Sequence, residues 1–487
     1  MYKKASSGYR AFMVLSSVTT FAVLPGCSVS NSGTQWKGLS AYLATCLPCD
    51  SSKATSGGGS GTASDPYLVC STSQLAHIDT GCTTQSGWTS TNFVQCSDLD
   101  LKGSAANPSS PICLGGSFKG NYEGSGFAIK NFYYNNSATS NVGVFSALIG
   151  GQISDLTVSS PSIAASGNVG GLVGAMSGGS TLTSCTATNV SVSGVGSNVG
   201  GLVGQMNSDT ATNTITLSSS SGSVNCTSGR AGGGGYGTGG LVGVNAYNGA
   251  SGYITHSWSS ATVTGTNARV GGIIGYADSD THVENSYATG AISGTNASVG
   301  GLVGYLTGGP NNSYVSNSYA TGSVTSTGAN VGGLVGLGDE GDIASSYATG
   351  AVSGSSSVGG LAGAFTYCGG GCTISNSYAT GSVSGSSAAG GFIGAIASLS
   401  GPGVTVNDSY SIGAVAGSGA TIGGFIGQSS IVATSCFWDT TTSGQSSSAT
   451  GTGEATSAMK LASTFAAWPT ATTGDWTLRN GSYPALK

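Results

Sequence analysis

The sequence predicts an all-β protein: a parallel β-helix of about ten stacked coils with a cap at each end. Three observations carry this. The pentapeptide GGLVG, with close variants, recurs along most of the chain. A second motif, SYATG, recurs at the same period. Only 6% of the 487 residues are charged, whereas 86 are glycine. Globular proteins usually carry about 25% charged residues and about 7% glycine.

The first glycines of the pentapeptides fall at 143, 170, 200, 239, 271, 300, 332, 359, 390 and 423. A step in the twenties to thirties marks units that bury their apolar faces only by stacking on one another. The second motif reads NSYATGAISG from Asn285, NSYATGSVTS from Asn317, SSYATGAVSG from Ser345 and NSYATGSVSG from Asn376. Aligned on the aromatic, it gives a column of Cys185, Cys226, Trp258, Tyr287, Tyr319, Tyr347, Tyr378, Tyr410 and Cys436. Four residues earlier stand Val283, Val315, Ile343, Ile374, Val406 and Val432. Each coil is expected to hold three short strands, with the glycine pair at positive φ or lying close against its neighbour. Val283 and Tyr287 have one parity and Ala288 and Ile292 the other, so a bend is expected near Thr289-Gly290. Sequence leaves open which way the tyrosines face.

Other classes are excluded. Glycine does not fall every third residue, so the chain is not collagen-like. Apolar residues recur in register, which argues against disorder. No apolar run reaches the ~18 residues of a membrane-spanning helix. The net charge is −5, and between Val142 and Phe437 the basic residues are Arg230 and Arg269. A nucleic-acid partner would want a basic stripe.

GGLVG followed by SYATGSVSG resembles the GLUG-motif repeat of bacterial surface proteins. That family includes filamentous haemagglutinin-like adhesins and the non-catalytic part of IgA-cleaving metallopeptidases. The resemblance runs from Gly59 to Lys487 and implies a right-handed β-helix. It implies function only weakly, because repeats are scaffolds on which many activities are grafted.

In chain order, residues 1–26 read as an export signal, with Lys3, Lys4 and Arg10 before an apolar stretch. Leu24-Pro25-Gly26-Cys27 is similar to the lipobox of bacterial lipoproteins, which implies lipid attachment at Cys27 and anchoring in the cell envelope, at the outer membrane or cell surface. Residues 27–64 are rich in Ser, Gly and Thr and read as a flexible tether. Cys46 and Cys49 within it read as a small disulfide loop. Residues 65–141 read as an N-terminal cap with the entry coils, and a short helical turn is expected at Ser73 to Asp79. Residues 142–437 are the repeat array. Residues 438–487 read as a C-terminal cap: Thr456-Ser457 would cap a helix at Ala458–Ala462, and Phe465, Trp468, Trp476 and Tyr483 would close the open core.

Chemistry is sparse. The histidines are His77, His256 and His282, the last two expected to face solvent, and no HExxH occurs. No catalytic residue and no firm cofactor is assigned. Two acid triplets, Asp278, Asp280, Glu284 and Asp339, Glu340, Asp342, have the ligand chemistry for Ca²⁺. The preferred reading is that they keep a low-charge rod soluble. Twelve cysteines fit an oxidising compartment. Cys368 and Cys372 read as a local disulfide, and Cys185 and Cys226, in the same column of neighbouring coils, as a second.

The expectation is therefore a non-catalytic, lipid-anchored, adhesin-like rod. The tyrosines Tyr287, Tyr319, Tyr347, Tyr378 and Tyr410 would face a glycan or protein ligand. The runner-up is a carbohydrate-active lyase or hydrolase. A weaker alternative is an ice- or crystal-binding face built on Thr289, Thr321, Thr349 and Thr380.

Overall fold

The computed structural model describes residues 48–487 except 84–87, 210, 229–235, 248, 267–268, 279, 296–297, 309–312, 398–402, 420 and 469–474. Cys27, Cys46 and the export segment lie outside the described residues. Cys49–Lys487 forms one unit.

One coil shows how the sequence builds the whole. Val299–Gly300 leads into Val303–Thr307, then Ser313–Ser316, Tyr319–Ala320 and Val324–Ser326. Five short strands stand where three were expected, because each corner of the coil breaks the run. Stacked coils join these strands into a ten-stranded sheet carrying Val303–Thr307, a twelve-stranded sheet carrying Ser313–Ser316, and a 28-stranded sheet carrying the rest. Pairing within them is parallel and in register, as in the run Val283, Val315, Ile343, Ile374 and Val406. The chain is thus a β-solenoid of about ten turns with few helices.

Alternation explains the corners. Successive residues of a strand point to opposite faces, yet Leu302 and Val303 are both fully buried. The bend at Gly301-Leu302 turns both inward. A second corner sits at Asn285, whose φ is 49°. The same left-handed conformation recurs at Asn317, Ser345, Asn376 and Asp408, with φ of 48–49°. Asn and Asp tolerate it best among non-glycine residues. The parity reversal therefore lies at Asn285, not at Thr289-Gly290. It lets Val283 and Ala288 both enter the core while Tyr287 stays at the surface.

The pentapeptide glycines serve close approach. A Cβ on Gly333 would lie 2.0 Å from the Gly360 carbonyl oxygen and 2.9 Å from the Ala348 Cβ. Of the two reasons expected for glycine, contact between coils is the one that operates at this position.

The N-terminal cap is a helix, Thr72–Cys82, longer than the expected turn. Ser71 and Gln74 form a capping box at its start. Cys82–Cys113 and Cys49–Cys70 disulfides tie this region together. Cys49 therefore has Cys70 as its partner, and not Cys46. Part of the stretch read as a tether is held by backbone bonds, such as Gly57 N–H to Leu68 O at 2.8 Å.

At the other end, Trp438 and Phe425 close the main core. Asp439 caps the helix Thr440–Ser443. The next helix is Thr456–Met459, earlier than expected: Thr456 lies inside it and donates its hydroxyl to Asp439. Phe465, Trp468 and Trp476 build a separate cluster with Tyr410 and Met459, Tyr483 packing against it. They cover the side of the last coils, not the open end of the core.

Candidate ligand-facing surface

The aromatic column forms a stack along the outside of the solenoid. Trp258, Tyr287, Tyr319, Tyr347, Tyr378 and Tyr410 have successive ring-centroid distances of 6.0, 4.8, 4.9, 4.7 and 5.2 Å. Their planes differ by 10° at most. The coil spacing of ~4.8 Å sets this separation. Ring faces are occupied by neighbouring rings, so the ladder offers ring edges and phenol hydroxyls to its surroundings.

Burial divides the ladder. Trp258, Tyr287, Tyr319 and Tyr347 are half-buried in the outer wall. Tyr410 is buried beneath Trp468, Trp476 and Tyr483, and its hydroxyl donates to Pro484 O at 2.7 Å. Burial, followed by the neighbouring Tyr347, pushes the Tyr378 phenol up to about 12. Thr289, Thr321 and Thr349 are exposed beside the ladder.

Register corrects the ends of this column. Trp258 pairs with Ser219, and Tyr410 with Phe437. Cys185 and Cys436 stand one residue earlier, in a buried ladder with Ser218, Ser257, Ser286, Ser318, Ser346, Ser377 and Ser409. Each of these serines donates to the carbonyl two residues back. The next coil's serine Oγ takes its amide, as in Ser257 N–H to Ser286 Oγ at 3.1 Å. Sequence reading assigned a role to the Tyr of NSY and missed the Ser before it. Its regular recurrence was the available signal.

Cys226 lies opposite Gly194 and Gly265, whereas Cys185 meets Ser218. The two do not form a disulfide with each other, and Cys185 is a free thiol. Burial pushes the Cys185 thiol up to about 12. Cys368–Cys372 is a disulfide. The β-branched column also ends sooner than expected. Asn407 bridges Thr434, which leaves Val432 out of register and 84% exposed.

The acid triplets do not converge. Asp280 meets His282 Nε2 at 2.7 Å and accepts from Ser251, while Glu284 accepts from the Tyr314 hydroxyl. Asp278 accepts from Thr307. Asp339 accepts from Tyr305, Glu340 from the Gly370 amide and Asp342 from the Thr373 amide. Among the described residues, no three His, Cys, Asp or Glu side chains gather as metal ligands. His282 does not face solvent as expected: its ring lies between Tyr253 and Tyr314, at 4.4 and 4.2 Å. His256 is exposed. Arg269 lies over the stacked rings of Tyr276 and Tyr305, at 4.2 and 4.7 Å.

A family model described as the GLUG motif matches residues 266–293 and 295–325. Two successive coils of this solenoid are therefore GLUG motifs. The two matched GLUG coils contain Tyr287, Tyr319 and the glycine clusters from Gly271 and Gly300. Among solved structures, a Bacteroides ovatus chain described as a "putative immunoglobulin A1 protease" is similar over 61% of this chain and 79% of that one, at 22% identity and a TM-score of 0.42. No curated protein matches.

Proposed function

We propose that this GLUG solenoid is a non-catalytic binding rod at the bacterial cell surface, held there by lipid on Cys27. The observation that carries this reading is the half-exposed run of Trp258, Tyr287, Tyr319 and Tyr347. It presents one phenol or indole edge per coil on a rigid stack. Aromatic side chains give large contact area with a polar tip, which suits glycan and protein surfaces. Repetition makes the binding multivalent, so weak contacts sum. Three disulfides among the described residues support export to an oxidising compartment.

The test uses glycan arrays and immobilised cell-surface proteins. A triple variant, Tyr287→Ser, Tyr319→Ser and Tyr347→Ser, should lose binding while keeping its β spectrum. Undiminished binding by the triple variant would sink the reading. The anchor is tested separately: Cys27→Ser should release the protein from the membrane fraction, and intact mass should show lipid on the wild type.

A further inference from the structure

Part of the ladder is already covered by the chain's own C-terminal cap. Asp475 and Trp476, from the C-terminal cap, dock on two adjacent coils. The Asp475 carboxylate accepts from Ser345 Oγ at 2.5 Å and from Asn376 Nδ2 at 2.9 Å. Trp476 Nε1 donates to Asn376 Oδ1 at 3.1 Å. The indole packs against Tyr378 and Tyr410, at 6.2 and 5.8 Å between centroids, and is fully buried. The receptor is thus two left-handed corner residues on neighbouring coils, with the tyrosines that follow.

The same receptor recurs two coils earlier. Asn285 stands where Ser345 does, Asn317 where Asn376 does, and Tyr319 and Tyr347 where Tyr378 and Tyr410 do. Backbone φ is the same at all four corners, 48–49°. Ring stacking is the same too. What differs is cover: Asn285 and Asn317 are exposed, whereas Ser345 and Asn376 are half-buried beneath the cap. The uncovered copy has an amide at both corners, one more amide than the occupied one.

We infer that Asn285, Asn317, Tyr319 and Tyr347 form a binding site for an extended protein segment carrying an aspartate followed by tryptophan. The partner is a protein, and its carboxylate bridges the two corner amides as Asp475 bridges Ser345 and Asn376. Its indole lies against the tyrosine edges and meets the Asn317 carbonyl. The nearby Glu284 is already engaged by the Tyr314 hydroxyl. This names the ligand class for the surface proposed above and rests on that reading.

The probe is a synthetic peptide with the sequence of Asp475–Lys487, titrated into the intact chain and followed by calorimetry. Asn285→Gly with Asn317→Gly keeps the left-handed corners accessible and removes both amides. The double variant should weaken binding at least tenfold with an unchanged unfolding midpoint. A peptide with Asp475→Asn and Trp476→Ala should not bind. Equal binding to wild type and double variant, or none to wild type, overturns the site. Reversible self-association of the chain abolished by the double variant would overturn the foreign partner in favour of a second copy. A chain that ignores the peptide yet binds arrays through its tyrosines loses this site and keeps the rod; one that binds neither loses both.

Discussion

The coils before residue 230 and those after Trp258 share a core and differ on their outer wall. In the early coils the outer column holds Thr186 and Ser219, within strands as long as Thr186–Gly200 and Ser219–Ser228. In the later coils it holds Trp258 and five tyrosines, on strands of two residues such as Tyr319–Ala320. The inner columns barely change. A Cβ on Gly201 would come 2.1 Å from the Gly240 oxygen, against 2.0 Å for the same contact at Gly333. The serine ladder runs through both regions, from Cys185 to Cys436. The lesson is that packing between coils fixes the interior, whereas the outer column is free to carry binding chemistry.

The largest expected effect tests the shared interior. Gly333→Val should cost about 2–4 kcal/mol, because the new side chain meets backbone on the next coil. Gly201→Val should cost the same, although its region has no aromatic stack. Urea unfolding of both variants is the measurement, and a cheap Gly201 variant would break the comparison. Next comes the serine ladder: Ser286→Ala leaves the buried Ser257 amide unpartnered and should cost about 1–3 kcal/mol. Ser286→Cys should cost less, since cysteine ends the ladder naturally at both extremes. Tyr319→Ser, which turns a late coil's outer residue into the early kind, should cost only about 1 kcal/mol of stacking. Ligand binding should suffer far more than the melting curve. Ser353→Val, on an exposed strand position, should stay within about 0.5 kcal/mol.

A pH series sharpens the contrast between cap and coils. Burial alone would raise the Asp439 carboxyl, but donors from Tyr483, Thr456 and two amides hold it below its usual value. A depressed folded pKa gives stability that is full at neutral pH and lost as pH falls through it, below about 4. Asp339 and Asp408 are raised, burial being the main cause, so their contribution is present in acid and lost as pH rises through the folded pKa. Between pH 5 and 2.5, tryptophan emission from the cap should change before the far-ultraviolet β signal. Simultaneous loss would refute the assignment, and Asp439→Asn should flatten the early change.

Much of this architecture was legible in the sequence. The glycine clusters gave the coil count, because steric contact between coils leaves little latitude at those positions. The tyrosine column gave the ladder, since an aromatic at a fixed period can only stack. What misled was the cysteines. Cys185 was aligned with the aromatics, yet Cys185-Thr186-Ala187-Thr188 corresponds in register to Ser286-Tyr287-Ala288-Thr289, with Ala and Thr identical. Cysteine has the size and burial of the serine it replaces. The placement of the C-terminal cap was not legible, because Asp475 reaches Ser345 across 130 residues by tertiary contact alone. The bend was misplaced because parity shows that the chain must turn but not which residue takes the left-handed corner, here Asn285. Asparagines earlier in the chain, Asn141, Asn168 and Asn198, instead bond to one another through their side chains.

The clamp formed by Asp475 and Trp476 grips only Ser345 and later parts of the stack. A whole coil inserted upstream of Ser345 would meet the same neighbours on both sides and leave that grip untouched. Each duplication would then add one free aromatic edge and about 4.8 Å of reach. Valency and length would grow together by copying a single stretch of gene, with no redesign of the cap that grips the last coils.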